Sequence, residues 1–189
     1  MLTLAQIRPG VTFLVDGEPY SVLEAQHVQL GRGGAILNTR IRNLRTGTTV
    51  KRTFKGNDTV EEAEVDRKTA RFIYARRGEY WFEDPANPKN RFALTAGQLG
   101  DATRWLIPKL ELVALVFEDQ VLTVELPIKV DYRVADAPPG LRGNTAQGGT
   151  KAITLESGAT IQAPLFIETD DTVRVNTRTG EYVERVAQG

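Results

Sequence analysis

Apolar and polar positions alternate in short runs along most of this chain, and turn-forming residues separate the runs. A period of two predicts strands, because successive side chains of an extended backbone point to opposite faces. Residues 11–15 and 19–23 flank Asp16-Gly17, a pair suited to a hairpin turn with positive φ. A longer hairpin is expected next, with arms at 25–30 and 35–44 and a tip of Gly31-Arg32-Gly33-Gly34. In its second arm Ala35, Leu37, Thr39 and Ile41 fall on one face and Asn38, Arg40 and Arg42 on the other. That is the pattern of a half-buried strand with a basic outer face. Thr46-Gly47 then turns the chain into residues 48–54. Residues 1–65 therefore read as one small SH3-like (KOW-like) barrel bearing the tip hairpin.

The same punctuation divides the rest. Residues 70–75 and 80–83 form a hairpin around Arg76-Arg77-Gly78 and carry Phe72, Tyr74, Tyr80, Trp81 and Phe82. A short helix is expected over 97–106, ended by Pro108. Residues 110–117 and 121–126 pair across Glu118-Asp119-Gln120. Strands of this length with one short helix fit an oligonucleotide/oligosaccharide-binding (OB) type barrel over 66–126. Pro127 opens a third unit, 127–189, with strands at 128–135, 153–155, 160–163, 172–176 and 182–186, the last two joined around Thr179-Gly180. Residues 136–150, rich in Gly, Pro and polar residues, read as a long loop, which in a compact domain is commonly functional. The expected fold class is all-β: an SH3-like barrel followed by two OB-type barrels.

Composition narrows the chemistry. Of 189 residues 41% are apolar and 25% charged, the balance of a globular protein. The absence of Cys excludes disulfide scaffolds, thiolate zinc sites and thiol catalysis, and one His cannot build a His-based metal cluster. No apolar run reaches a membrane span and Met1-Leu2-Thr3 opens no signal peptide, so a soluble cytoplasmic protein without membrane association is expected. Lys plus Arg and Asp plus Glu are 24 each, yet the charge is unevenly spread. Between Ala25 and Asn57 stand seven basic residues (Arg32, Arg40, Arg42, Arg45, Lys51, Arg52 and Lys55) and no acidic one. A one-sign block inside a patterned segment suits a phosphate backbone; the plainer alternative is a solvated strand face.

Other features weigh less. His27 lies on the approach to the tip, where a surface or packed role is the simpler reading. The five aromatics offer either a base-stacking platform or, more simply, core members with the remainder facing a neighbour. Trp105 reads as a core anchor on the short helix. Glu61, Glu62 and Glu64 are divided between faces by strand alternation and make no general-acid pair. With no phosphate-cradling Gly-rich loop and no metal-ligand spacing, no enzyme, cofactor or metal is expected.

Several ordered motifs carry a resemblance to a known family. They are Asp16-Gly17-Glu18-Pro19-Tyr20, the Gly31-Arg32-Gly33 tip, Arg45-Thr46-Gly47 and Thr53-Phe54-Lys55 in the first unit. In the third they are Pro139-Gly140-Leu141-Arg142-Gly143-Asn144-Thr145-Ala146, Pro164-Leu165-Phe166-Ile167, and Asn-Thr-Arg-Thr-Gly-Glu-Tyr-Val at 176–183. Nearly end to end, the chain resembles bacterial elongation factor P in an Arg-tipped form. Ala163 stands where the family usually has Val, Asp170 where Gly is common, and Asn144 where Asp is usual.

The resemblance implies a monomeric, non-enzymatic translation factor with an elongated shape like that of a transfer RNA. Such a factor binds the 70S ribosome between the peptidyl and exit sites and relieves stalling at consecutive prolines. It implies that Gly31, Arg32, Gly33 and Gly34 approach the peptidyl-tRNA (prolyl-tRNA). Arg40, Arg42, Arg45, Lys51 and Lys55 would lean on tRNA or ribosomal RNA backbone. Gly143, Asn144, Thr145, Gln147 and Lys151 would form a loop toward the exit-site codon of messenger RNA. Arg32 rules out the β-lysine and hypusine modifications, which need a lysine. It leaves two states open: a bare arginine, or one rhamnosylated by an arginine-modifying glycosyltransferase. Those rhamnosylated members typically carry Asn, not Gly33, after the arginine. Two rival functions remain: a paralogue of elongation factor P with a different stalling-motif preference, and a general single-stranded nucleic-acid binder.

Overall fold

The computed structural model describes residues 1–30, 34–139 and 149–186. Six strands form the first sheet: β1 (Leu2–Thr3), β2 (Thr12–Val15), β3 (Glu18–Leu30), β4 (Gly34–Asn43), β5 (Thr49–Lys55) and β6 (Thr59–Glu62). Their spatial order is β1-β6-β2-β3-β4-β5. Asp16 and Gly17 turn β2 into β3 with φ of 53° and 80°, the left-handed pair that a two-residue hairpin turn requires. The two strands expected at 19–23 and 25–30 are one continuous strand. A bulge between Val22 and Glu24 shifts the register there, so the alternation breaks in sequence while the strand runs on. Phe13, Val22, Leu37, Ile41 and Phe54 fill the core, with the Phe13 and Phe54 rings edge to face at 5.7 Å.

The second sheet holds β7 (Asp66–Arg76), β8 (Glu79–Asp84), β9 (Asn87–Thr95), β10 (Glu111–Phe117) and β11 (Gln120–Glu125), in the order β11-β10-β7-β8-β9. Its edge strands β9 and β11 approach each other, giving a barrel-like curl. Arg77-Gly78 and Glu118-Asp119 make two of its tight turns, all four residues at positive φ. The helix expected at 97–106 is two pieces: α1 (Ala96–Leu99) and a 3-10 segment, Gly100–Trp105. Gly100, at φ 57° and ψ −131°, breaks the helical path after one turn. Thr95 and Gln98 close the start of α1 with a reciprocal capping box.

The third sheet holds β12 (Lys129–Asp136), β13 (Thr150–Leu155), β14 (Thr160–Pro164), β15 (Thr172–Asn176) and β16 (Glu181–Val186), in the order β14-β13-β12-β15-β16. Tyr132, Val134, Ile153, Leu155, Ile167, Val173 and Val175 are its innermost side chains. Asp170 adopts φ 72°, the conformation glycine accepts most readily, and its carboxylate takes hydrogen bonds from Arg133.

Apolar cores cross from sheet to sheet. Leu44 and Ala63 of the first unit pack with Leu115, Phe117 and Leu122 of the second. Trp105 precedes the third sheet yet sits in its core, whereas the adjacent Leu106 belongs to the second core. Trp105 is thus an anchor between units and not, as expected, of the short helix. Tyr132 is fully buried and its hydroxyl donates to the Trp105 carbonyl oxygen at 2.7 Å. Burial, reinforced by the Glu156 charge, holds the phenol above its usual pKa and keeps it a neutral donor. Tyr132→Phe leaves that carbonyl without its donor and is expected to lower unfolding stability by about 1–3 kcal/mol in chemical denaturation. An unchanged midpoint would show that the bond contributes nothing.

Candidate nucleic-acid interface

The basic block resolves into a surface once β3, β4 and β5 are aligned. In cross-strand rows, Glu24, Arg40 and Lys51 stand side by side, then Gln26, Asn38 and Thr53, then Val28, Ile36 and Lys55. Antiparallel partners share a face, so these rows build one side of the sheet while Leu37, Thr39 and Ile41 occupy the other. Thr53 donates its hydroxyl hydrogen to Asn38 Oδ1 at 2.9 Å. A shallow hollow of about 390 Å³ lies among Glu24, Gln26, Asn38, Arg40, Lys51 and Thr53. Arg40 is paired with Glu24. Among the described residues, no ion pair reaches Lys51 or Lys55, both exposed. Arg52 points to the other side and lies over the Phe54 ring at 5.7 Å.

Arg42 and Arg45 behave differently. Arg42 Nη2 donates to the carbonyl oxygens of Gly97 and Gln98, each at 2.8 Å, at the α1 turn of the second unit. Burial lowers its pKa from the ordinary arginine value and the Asp101 charge partly restores it, so the guanidinium stays protonated. Arg45 spans Glu18 Oε2 at 3.0 Å and Gln120 Oε1 at 2.6 Å, the latter on β11. Arg42 lies at the end of β4, and the turn after it, which carries Arg45, is held by buried Asn43, whose Oδ1 accepts from the backbone N–H groups of Arg45 and Thr46. Strand alternation cannot separate Arg42 from Arg40, since both lie on the polar face. The available signal was glycine: Gly47, Gly97 and Gly100 converge where the two units meet.

The remaining candidates are placed as follows. Gly31, Arg32 and Gly33 lie outside the described residues; Gly34 begins β4 opposite Leu30. Gly143, Asn144, Thr145 and Gln147 also lie outside, whereas Lys151 is on β13, its Nζ donating to the Pro138 carbonyl oxygen at 2.8 Å. His27 shares its side of the sheet with Leu37 but is exposed, beside a hollow formed with Leu4, Ala5, Ala35 and Asp58. The aromatic group divides: Phe72, Tyr80 and Phe82 pack into the second core, while Tyr74 and Trp81 stack outward at 6.3 Å. Glu61, Glu62 and Glu64 are all exposed. Among the described residues, no cluster of three metal-ligating side chains occurs, and no helix is long and apolar enough to cross a membrane.

Stability measurements separate the two kinds of residue. Lys51→Ala and Lys55→Ala are expected to change unfolding free energy by no more than about 0.5 kcal/mol. Asn43→Ala strands two backbone donors and should cost about 1–3 kcal/mol. A comparable loss in the lysine variants would mark them as parts of the fold instead of a contact surface.

Comparison with known proteins adds an independent line. Residues 3–60 match the family model described as the elongation factor P KOW-like domain, and residues 130–185 match elongation factor P, C-terminal. The elongation factor P of Moorella thermoacetica is 40% identical over 185 residues, covering 98% of this chain and 100% of that one. Those of Carboxydothermus hydrogenoformans (39% over 186 residues) and a Synechococcus strain (38% over 185) cover the same shares. Among solved structures, eukaryotic translation initiation factor 5A from Methanococcus jannaschii aligns with a TM-score of 0.45 at 14% identity, over 65% of this chain and 94% of that one.

Proposed function

Because the chain belongs to the elongation factor P family and is a translation elongation factor, we propose that it acts on ribosomes stalled at consecutive prolines. It binds between the peptidyl and exit sites, and the Arg32 loop holds the peptidyl-tRNA in a reactive geometry. Proline is a slow reactant because its ring fixes φ and its nitrogen is a secondary amine. No proton transfer is needed from the factor. Holding reactants in register can recover several kcal/mol of barrier, up to roughly 7–11 in model systems.

The observation that carries this reading is the one-sided cationic face of the β3–β5 hairpin region. Lys51 and Lys55 lie there without ion-pair partners among the described residues, and Arg40 beside them is offset by Glu24. Such a face gains affinity from a phosphate backbone by releasing its counterions. The tip at the far end of β3 and β4 is glycine-rich, so its backbone can approach RNA closely and its single arginine can fork onto phosphate or stack on a base. The loop bearing Gly143, Asn144, Thr145 and Gln147 is assigned to the exit-site codon. Lys151, held on Pro138, supports the base of that loop. The outward Tyr74–Trp81 stack favours one second reading, a general single-strand binder. That reading predicts tight, salt-sensitive binding to free oligonucleotides, where the factor reading requires an assembled ribosome.

The test is reconstituted translation of a messenger encoding three consecutive prolines, using protein purified from its native source so that any Arg32 modification is retained. Full-length product is expected with the wild-type chain, and Arg32→Ala should reduce the rate about tenfold or more, which is about 1.4 kcal/mol of barrier. Near-wild-type rescue by a folded Arg32→Ala variant would overturn the tip mechanism. Absence of rescue by the native protein would overturn the function.

A further inference from the structure

Arg40 and Arg42 occupy equivalent places in the alternation of β4, and the family resemblance implies an RNA contact for both. We infer that Arg42 is instead a positioning residue, which fixes the direction of the tip hairpin against the central unit and makes no RNA contact. This rests on the function proposed above, since direction matters only if the hairpin must reach a defined target.

The geometry at the junction is that of a fixed joint. α1 is a single turn, so its final carbonyl oxygens lack an N–H donor within the helix. Arg42 supplies the missing donor from another unit, its Nη2 donating to both the Gly97 and the Gln98 oxygens. Thr123 adds its hydroxyl to the Gln98 oxygen at 2.8 Å. Backbone then meets backbone: a Cβ on Gly47 would lie 1.8 Å from the Gly97 oxygen, and one on Gly97 would lie 3.3 Å from the Thr46 oxygen. A Cβ on Gly100 would lie 2.7 Å from the Arg42 guanidinium, so that residue too is shaped around it. Arg45 grips the opposite side of the same turn through Glu18 and Gln120. The Arg42, Arg45 and Gly47 contacts all hold the end of β4 and the turn after it, the root of the hairpin.

The lever arm makes the root decisive. From Asn43 to Gly34 a strand reaches about 30 Å, at roughly 3.4 Å per residue. A tilt of about 10° at the root would carry the tip sideways by about 5 Å, and misplacement of about 1 Å can already cost 100-fold in a positioned reaction. Arg42 can therefore govern activity from the far end of the hairpin.

The experiment compares Arg42→Ala, Lys51→Ala and Gly47→Ala in the full chain. The chain has no cysteine, so Asn57→Cys and Ala86→Cys admit a pair of spin labels, one in each of the two units, on exposed sites. Three quantities are read: the distance distribution between the labels, the slope of log affinity for 70S ribosomes against log salt, and the rate of translation through consecutive prolines. Lys51→Ala should leave the distances unchanged and flatten the slope by about 0.7–0.9, one phosphate contact. Arg42→Ala should broaden the distances, keep the wild-type slope and lower polyproline rescue. Gly47→Ala retains every charge but wedges the joint, and should reproduce the Arg42→Ala result. A flattened slope with unchanged distances in Arg42→Ala would overturn the inference and return that residue to the RNA. Failure of the wild-type chain to bind ribosomes would instead overturn the proposed function. The label distances would still report whether Arg42 holds the joint.

Discussion

Backbone meets backbone where the first sheet joins the second, and the directional account of this molecule depends on that contact. Gly47 lies against the Gly97 carbonyl with no room for a side chain between them. Units of about 60 residues bury little surface and are marginal when alone. Here they borrow from one another: Leu44 and Ala63 complete a core with Leu115, Phe117 and Leu122, and Trp105 enters the core beyond its own sheet. Stability and orientation therefore come from the same contacts. A hairpin built on such a root points in a fixed direction.

The charge distribution follows the same logic. The molecule is neutral as a whole, with 24 charges of each sign, yet its first unit carries an acid-free basic segment. Folding divides that segment by use. Arg42 and Arg45 are turned inward on carbonyl, carboxylate and amide oxygens of neighbouring elements. Arg40 is tempered by Glu24, and Lys51 and Lys55 remain on the exposed face. Arginine suits the inward task because its planar fork can satisfy several oxygens at once. Lysine, a compact and mobile cation, suits a surface that meets phosphates in more than one arrangement.

Much of the fold was legible because its signals are local. Asp16-Gly17 and Arg77-Gly78 announce their turns, and Leu37, Thr39 and Ile41 announce the buried face of β4. The misses arise where tertiary structure overrides a local pattern. No strand is expected between residues 83 and 97, yet β9 forms there because Phe92 and Ala93 pair with Phe82 and Trp81. The expected helix divides at Gly100, whose positive φ no alternation reveals. At the candidate interface, the polar face of β4 was readable, but the different tasks of Arg40 and Arg42 were not. That distinction depends on an α1 turn fifty-five residues away in sequence.

The most direct measurement is an electron cryo-microscopy map of the chain on a ribosome stalled at consecutive prolines. The account predicts the β3–β4 hairpin directed at the 3′ end of the peptidyl-tRNA, with Lys51 and Lys55 against phosphates. Arg42 should remain on the Gly97 and Gln98 carbonyls. A map with the basic face turned to solvent, or with Arg42 released from α1 onto RNA, would contradict it.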